Sequence, residues 1–138
     1  MDKATAVMLQ ALITNARVPK TELARRLRVT EAAIRKRLKK LEEAGIIVGY
    51  RTLIDYQKAG LMASVTGVDA EPERLWEVIE ELKGVEEVTS ITLTSGDHMI
   101  MVEVVAGSMQ ELQETHKRIE SLPGVTKVCP AIILKRIK

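Results

Sequence analysis

Residues 21–47 read TELARRLRVTEAAIRKRLKKLEEAGII, and the spacing of their apolar positions decides the N-terminal fold. Leu23, Ala24 and Leu27 share one stripe of a short helix over about residues 21–27. Arg28 and Val29 make a tight turn. Thr30 is a natural N-cap for a longer helix that ends near Ala44, and Gly45 stands at the C′ position, where positive φ is common. Two helices crossing this closely need small and apolar residues at the contact, and Ala24, Leu27, Val29, Ile34 and Leu38 supply them. On the longer helix Ile34, Leu38 and Leu41 form the buried stripe. At ~100° per residue Ala32, Arg35, Lys36 and Lys39 fall opposite.

A helix with outward cations and a free N-terminus suits the major groove of DNA. The candidate contact set is Thr30, Glu31, Ala32, Arg35, Lys36 and Lys39. The cations suit phosphates or a guanine edge, and small Ala32 permits close approach or contact with a thymine methyl. An ordinary amphipathic helix with a solvated basic face is the competing reading. The helix before it, the turn, the terminal glycine and a following strand, all at suitable spacing, favour DNA. Arg37 lies on the inward stripe, so it reads as a structural arginine that snorkels or pairs with a carboxylate.

Upstream, residues 2–15 read as a helix started by Asp2, with Leu9, Leu12 and Ile13 as its stripe, and Pro19 opens the next helix. Downstream, Ile46, Ile47, Val48, Gly49 and Tyr50 read as a strand, the wing of a small hairpin. Residues 61–138 then read strand, helix, strand, strand, helix, strand. The helices cover 72–83 (stripe Leu75, Ile79, Leu82) and 109–121 (stripe Leu112, His116, Ile119). The strands cover 61–69, 85–94, 98–106 and 125–134. The last is nearly continuous in apolar residues, which predicts cover on both faces. Leu82-Lys83-Gly84-Val85 returns 40 residues later as Leu122-Pro123-Gly124-Val125, two β-α-β halves of one sheet. Each Gly is expected to end its helix with positive φ. The fold class is α+β: an N-terminal winged helix-turn-helix (residues 1–50), a linker (51–60) and a C-terminal ferredoxin-like βαββαβ domain (61–138).

The net charge of +2 conceals a division. Residues 1–60 hold 13 Lys/Arg against 6 Asp/Glu, and residues 61–138 hold 8 against 13, so a +7 half precedes a −5 half. The basic half points to a polyanionic partner. No apolar run nears the ~18 residues that cross a membrane. The start of the chain lacks the pattern of a secretory signal. Cys129 is the only cysteine, which fits a reducing compartment. A cytoplasmic location with no membrane partner follows as the expectation.

These features together resemble the Lrp/AsnC (leucine-responsive, feast/famine) family of transcription regulators. The matching residues are Asn15-Ala16-Arg17, Glu22-Leu23-Ala24, Arg37-Leu38, Leu41-Glu42-Glu43, Gly45-Ile46-Ile47, Gly49-Tyr50, Gly60 and 122–125. The resemblance covers nearly the whole chain. It implies homodimers, often assembled further into octamers, that bind double-stranded promoter DNA and respond to amino acids. Two positions depart from the family pattern. Arg28 stands where glycine is common in the turn, which asks a non-glycine residue for an unusual backbone angle. The family's Gly-Asp-aromatic-Asp turn is here Gly96-Asp97-His98-Met99. In the family this turn helps build the effector pocket, so Thr94, Ser95, Gly96, Asp97 and His98 are the candidate effector residues. With one acid replaced by Met99, a neutral or sulfur-containing amino acid fits better than a basic one, since an ammonium group seeks carboxylates.

Other features point to less. His98, His116 and Cys129 lack metal-site spacing. His116 reads as a core histidine, and His98, in a turn, as solvent-exposed. Trp76 lies off its helix's stripe and reads as a rim or subunit-contact residue; Met99 and Met101 read as packing. No triad, phosphate loop or catalytic carboxylate pair is visible, so neither catalysis nor a cofactor is expected. Two alternatives stand beside the effector-responsive regulator. One is a constitutive architectural DNA binder without an effector. The other is an enzyme resembling the haem-precursor decarboxylases, against which the clustering of cations on the N-terminal helix argues.

Overall fold

The computed structural model describes all 138 residues, which form two compact units, Met1–Leu53 and Ile54–Lys138. The first contains α1 (Lys3–Thr14), α2 (Lys20–Leu27) and α3 (Glu31–Glu43). Asp2 caps α1 by accepting from the Thr5 amide at 2.7 Å. Thr30 caps α3 by accepting from the Ala33 amide at 3.1 Å, and Gly45 takes φ +71° beyond its end. Met8, Leu23, Ala24, Ile34 and Leu38 make the core.

Three expectations for this unit need correction. The inward face of α1 is Thr5 and Met8, with Leu12 half-buried, whereas Ile13 is 79% exposed. The docking of α2 and α3 chose a stripe one residue away from the more hydrophobic one. Val29 is 43% exposed, because its amide turns back to the Ala24 carbonyl and carries the side chain outward. Residues 46–50 form no strand. The amides of Ile46 and Ile47 both bond to the Leu41 carbonyl, so they close the end of α3 and are unavailable to a ladder.

The second unit opens with the single turn α4 (Tyr56–Ala59) and continues β1 (Met62–Ala70), a 3-10 turn (Pro72–Arg74), α5 (Leu75–Lys83), β2 (Val88–Leu93), β3 (Ile100–Ala106), α6 (Met109–Glu120) and β4 (Val125–Ile132). The sheet is antiparallel, in order β2-β3-β1-β4, as a ferredoxin-like unit requires. The core holds Val68, Val78, Leu82, Ile100, Val102, Val104, Leu112 and Ile119. Alternate β3 residues face away from it. On that far face Gly67 stands in register between Met101 and Cys129.

β4 is not covered on both sides. It is an edge strand, with Thr126, Lys127, Pro130 and Ala131 exposed. Its apolar run belongs to one core-facing row and one open row. The repeated glycines also diverge: Gly84 caps α5 with φ −82°, while Gly124 has φ +92°. A side chain at 124 would begin 3.0 Å from Arg74 Cβ, so glycine there serves close packing.

His116 is a buried, satisfied core histidine. Its Nε2 lies 2.8 Å from Ser64 Oγ and 3.2 Å from Thr66 Oγ1, and the two hydroxyls are 2.9 Å apart. A neutral ring closes this set when Thr66 donates to Ser64 and Ser64 donates to Nε2. Burial lowers the pKa of His116 below its ordinary value of about 6.5. Because the folded state resists the proton, stability is full above pH ~6.5 and falls as the pH drops through that value towards the lower folded pKa. His116→Gln keeps a polar partner for Ser64 but cannot titrate. Urea unfolding between pH 7.5 and 5 should show a shallower acid loss than in the wild type, and identical slopes would refute this assignment.

Candidate nucleic-acid interface and effector turn

Burial of Ile34, Leu38 and Leu41 turns the opposite face of α3 outward, and Thr30, Glu31, Ala32, Arg35, Lys36 and Lys39 are all exposed. Their states differ. Arg35 Nη1 donates to Glu31 at 2.8 Å, so a phosphate or base must compete with that carboxylate. Lys39 stands 3.9 Å from Glu43. Lys36 pairs with no acid. The hydroxyl of Thr30 already serves as the helix cap and retains its own proton for donation.

Arg37 behaves as its inward position demands. Its Nη1 donates to both Asp2 oxygens and to Thr5 Oγ1, each at 3.0 Å. The start of α1 is thereby tied to the middle of α3. On α2, Glu22 accepts from Arg25 and Arg26, which lowers its pKa to about 2. Two more polar residues share a cleft with the outer face of α3: Lys20 and Thr21, at the start of α2, line it with Glu31, Arg35 and Lys39. Sequence reasoning restricted to the third helix missed them. Lys20 is visible in the sequence as a cation beside Pro19, but only folding brings it into one cleft with Arg35.

Arg28 ends α2 in the left-handed region, φ 55° and ψ 45°, and is the only non-glycine residue with positive φ. Its amide bonds to the Ala24 and Arg25 carbonyls. That conformation brings Cβ close to the following carbonyl oxygen and costs a non-glycine residue roughly 1–2 kcal/mol. Arg28→Gly should therefore raise the stability of residues 1–53 by up to about 1 kcal/mol, read by denaturant unfolding. A destabilised variant would show that the arginine side chain holds the turn.

In the second unit the effector candidates lie in the β2–β3 connection. Thr94 Oγ1 donates to the His98 carbonyl at 2.6 Å, and the Thr94 amide bonds to the Met99 carbonyl at 3.0 Å. Thr94, Ser95, Gly96 and Asp97 are exposed. Gly96 has neither positive φ nor a neighbour that a Cβ would meet, so turn geometry alone does not require glycine there. His98 is not solvent-exposed as expected. It folds back onto the sheet, with Nδ1 2.9 Å from Asp69 Oδ2. Asp69 is a further residue that sequence reasoning missed. Its hydrogen bond with His98 is the main cause holding its carboxyl below the usual range.

Comparison with known proteins agrees with this geometry. Residues 62–138 match the family model for the Lrp/AsnC ligand binding domain, and residues 1–48 match a winged helix-turn-helix DNA-binding model. The chain is 46% identical to the HTH-type transcriptional regulator LrpA of Pyrococcus horikoshii, over 100% of this chain and 99% of that one. It is 32% identical to the HTH-type transcriptional regulator LysM of Sulfurisphaera tokodaii, over 98% and 96%. The structure of the leucine response regulatory protein of Mycobacterium tuberculosis superposes with a TM-score of 0.77 at 25% identity, over 100% of this chain and 95% of that one.

Proposed function

Because the chain belongs to the Lrp/AsnC family, and is a DNA-binding transcription regulator and not an enzyme, we propose that it reads promoter DNA through the outer face of α3. Arg35, Lys36 and Lys39 supply the charge, Ala32 permits close approach, and Thr30 and Glu31 flank the entering end. The observation that carries this reading is the exposure of that whole set on a helix whose opposite face is buried. The setting is the cytoplasm, where a regulator meets its promoters; no helix is long and apolar enough to cross a membrane. Residues 51–60 carry the chain out of the reader and, through α4, into the sheet of the second unit, which binds other copies and an amino acid. On the turn 94–98, the Gly96 region offers backbone amides to a carboxylate and Asp97 offers its own carboxylate to an ammonium group. A neutral amino acid suits a turn whose second acid is replaced by Met99.

Each phosphate contact adds about 0.9 to the slope of log K against log salt. Lys36→Ala combined with Lys39→Ala should weaken binding to promoter DNA and reduce that slope by up to ~1.8. Arg35→Ala should relax base preference at one position. Unchanged affinity and salt slope in a filter-binding titration would remove α3 from the interface.

One reader of this size touches only a few base pairs, so specificity calls for two. The second unit leaves one sheet face uncovered by helices, with Val65 36% exposed on it. A homodimer closing over this face, and higher assemblies such as an octamer, follow from that apolar surface. Footprinting should find half-sites one helical turn apart, ~10–10.5 bp, or a multiple. A monomer in light scattering at micromolar concentration would contradict the dimer.

A further inference from the structure

Asp69, near the end of β1, makes two contacts with the β2–β3 connection, and they differ in kind. Its Oδ1 accepts from the Met99 amide at 3.0 Å. Its Oδ2 lies 2.9 Å from His98 Nδ1, and an ionised carboxylate can only accept, so Nδ1 carries the proton. The imidazole occupies the space over Gly67. A Cβ built at Gly67 would stand 2.3 Å from His98 Cδ2 and 2.4 Å from Cγ, well inside contact distance. Gly67 has no positive φ, so the space its missing side chain leaves is what the ring uses. Lys127 stands opposite Asp69 in the β1–β4 register, and its charge also favours the carboxylate. Both His98 and Asp69 are about three-quarters buried, while Thr94, Ser95, Gly96 and Asp97 beside them are exposed.

We propose that Asp69 is a positioning residue for the effector turn, holding His98 down in the Gly67 notch so that residues 94–97 present a preformed surface to the ligand. This rests on the assignment of the turn as the effector site. The imidazole is thereby a strut of the turn and not a ligand contact. It also explains how His98 fits: a ring at 98 and the lack of a side chain at 67 are one steric unit joined across two strands. Order in the turn reduces the conformational entropy that ligand binding would otherwise cost. Asp97 and the Gly96 backbone then stay outward because their neighbour is anchored.

The test uses the full-length protein and separates positioning from ligand binding. Nitrogen NMR of labelled histidine should show His98 protonated at Nδ1 in the wild type. In Asp69→Asn and in Gly67→Ala that signature should be lost, and the amide resonances of residues 95–97 should shift and exchange faster. The double variant Gly67→Ala with His98→Ala removes the clash. It should match the stability of His98→Ala alone, which a general strand defect at 67 would not allow. Calorimetry against the twenty amino acids should show at least a fivefold loss of affinity in Asp69→Asn, with no change in DNA affinity without amino acid. An unperturbed turn in Asp69→Asn, or an affinity equal to the wild type, would overturn the proposal. If no amino acid binds the wild type at millimolar concentration, the effector reading fails. The histidine signature and the turn amides then decide whether Asp69 holds the turn.

Discussion

Ile34 and Leu38, buried with Leu23 and Met8 in one small core, set the direction in which everything on α3 points. An α-helix advances ~100° per residue, so burying 34, 38 and 41 leaves 32, 35, 36 and 39 on the solvent side without any further instruction. Arg37, next to the buried stripe, finds its countercharge in Asp2, so the chain's first acid becomes part of the reader. The first unit has only a small core with which to hold three helices. This makes its caps at Asp2, Thr30 and Gly45 a real share of its stability.

The second unit solves a different problem. A four-stranded sheet with both helices on one side keeps a second face open, and the two faces carry different chemistry. Beneath the helices the one polar group of any size is His116, made tolerable by Ser64 and Thr66. On the open face the polar pair is Asp69 and His98, beside Lys127. Both histidines thus sit against β1, one on each side of the sheet. The first is kept neutral by burial, and the second is bonded to an ionised carboxylate. The acidic surplus of this half and the basic surplus of the first keep DNA attraction local to the reader.

Much of this was legible in the residues. The helical stripes at 34/38/41, 79/82 and 112/116/119 recur at a period that only a helix satisfies, and the caps name their own ends. The positive φ at Arg28 could be read from glycine's usual place in such a turn. Other features failed for identifiable reasons. The wing strand at 46–50 has the composition of a strand, but composition cannot show that two of its amides already bond to Leu41. Residues 125–134 read as doubly covered because apolar runs look alike whether the second face meets a helix or lies open. Ile13 is as hydrophobic as Met8, and only the docking angle of α2 and α3 decided between them.

What the sequence by itself determined is therefore everything carried by local period and local chemistry: the helix-turn-helix, the βαββαβ order, the outward cations of α3 and the location of the 94–98 turn between two strands. These depend on residues within a few positions of one another, where backbone geometry links spacing directly to direction. The tertiary structure alone decided what spans long separations: Lys20 in one cleft with Arg35, Arg37 on Asp2, His116 on Ser64, and above all His98 over Gly67 with Asp69 at its Nδ1. Asp69 and His98 are 29 positions apart, on segments that neighbour each other only after β3 pairs with β1. Nothing in the period of either segment encodes that meeting, because strand register emerges from the packing of the whole sheet.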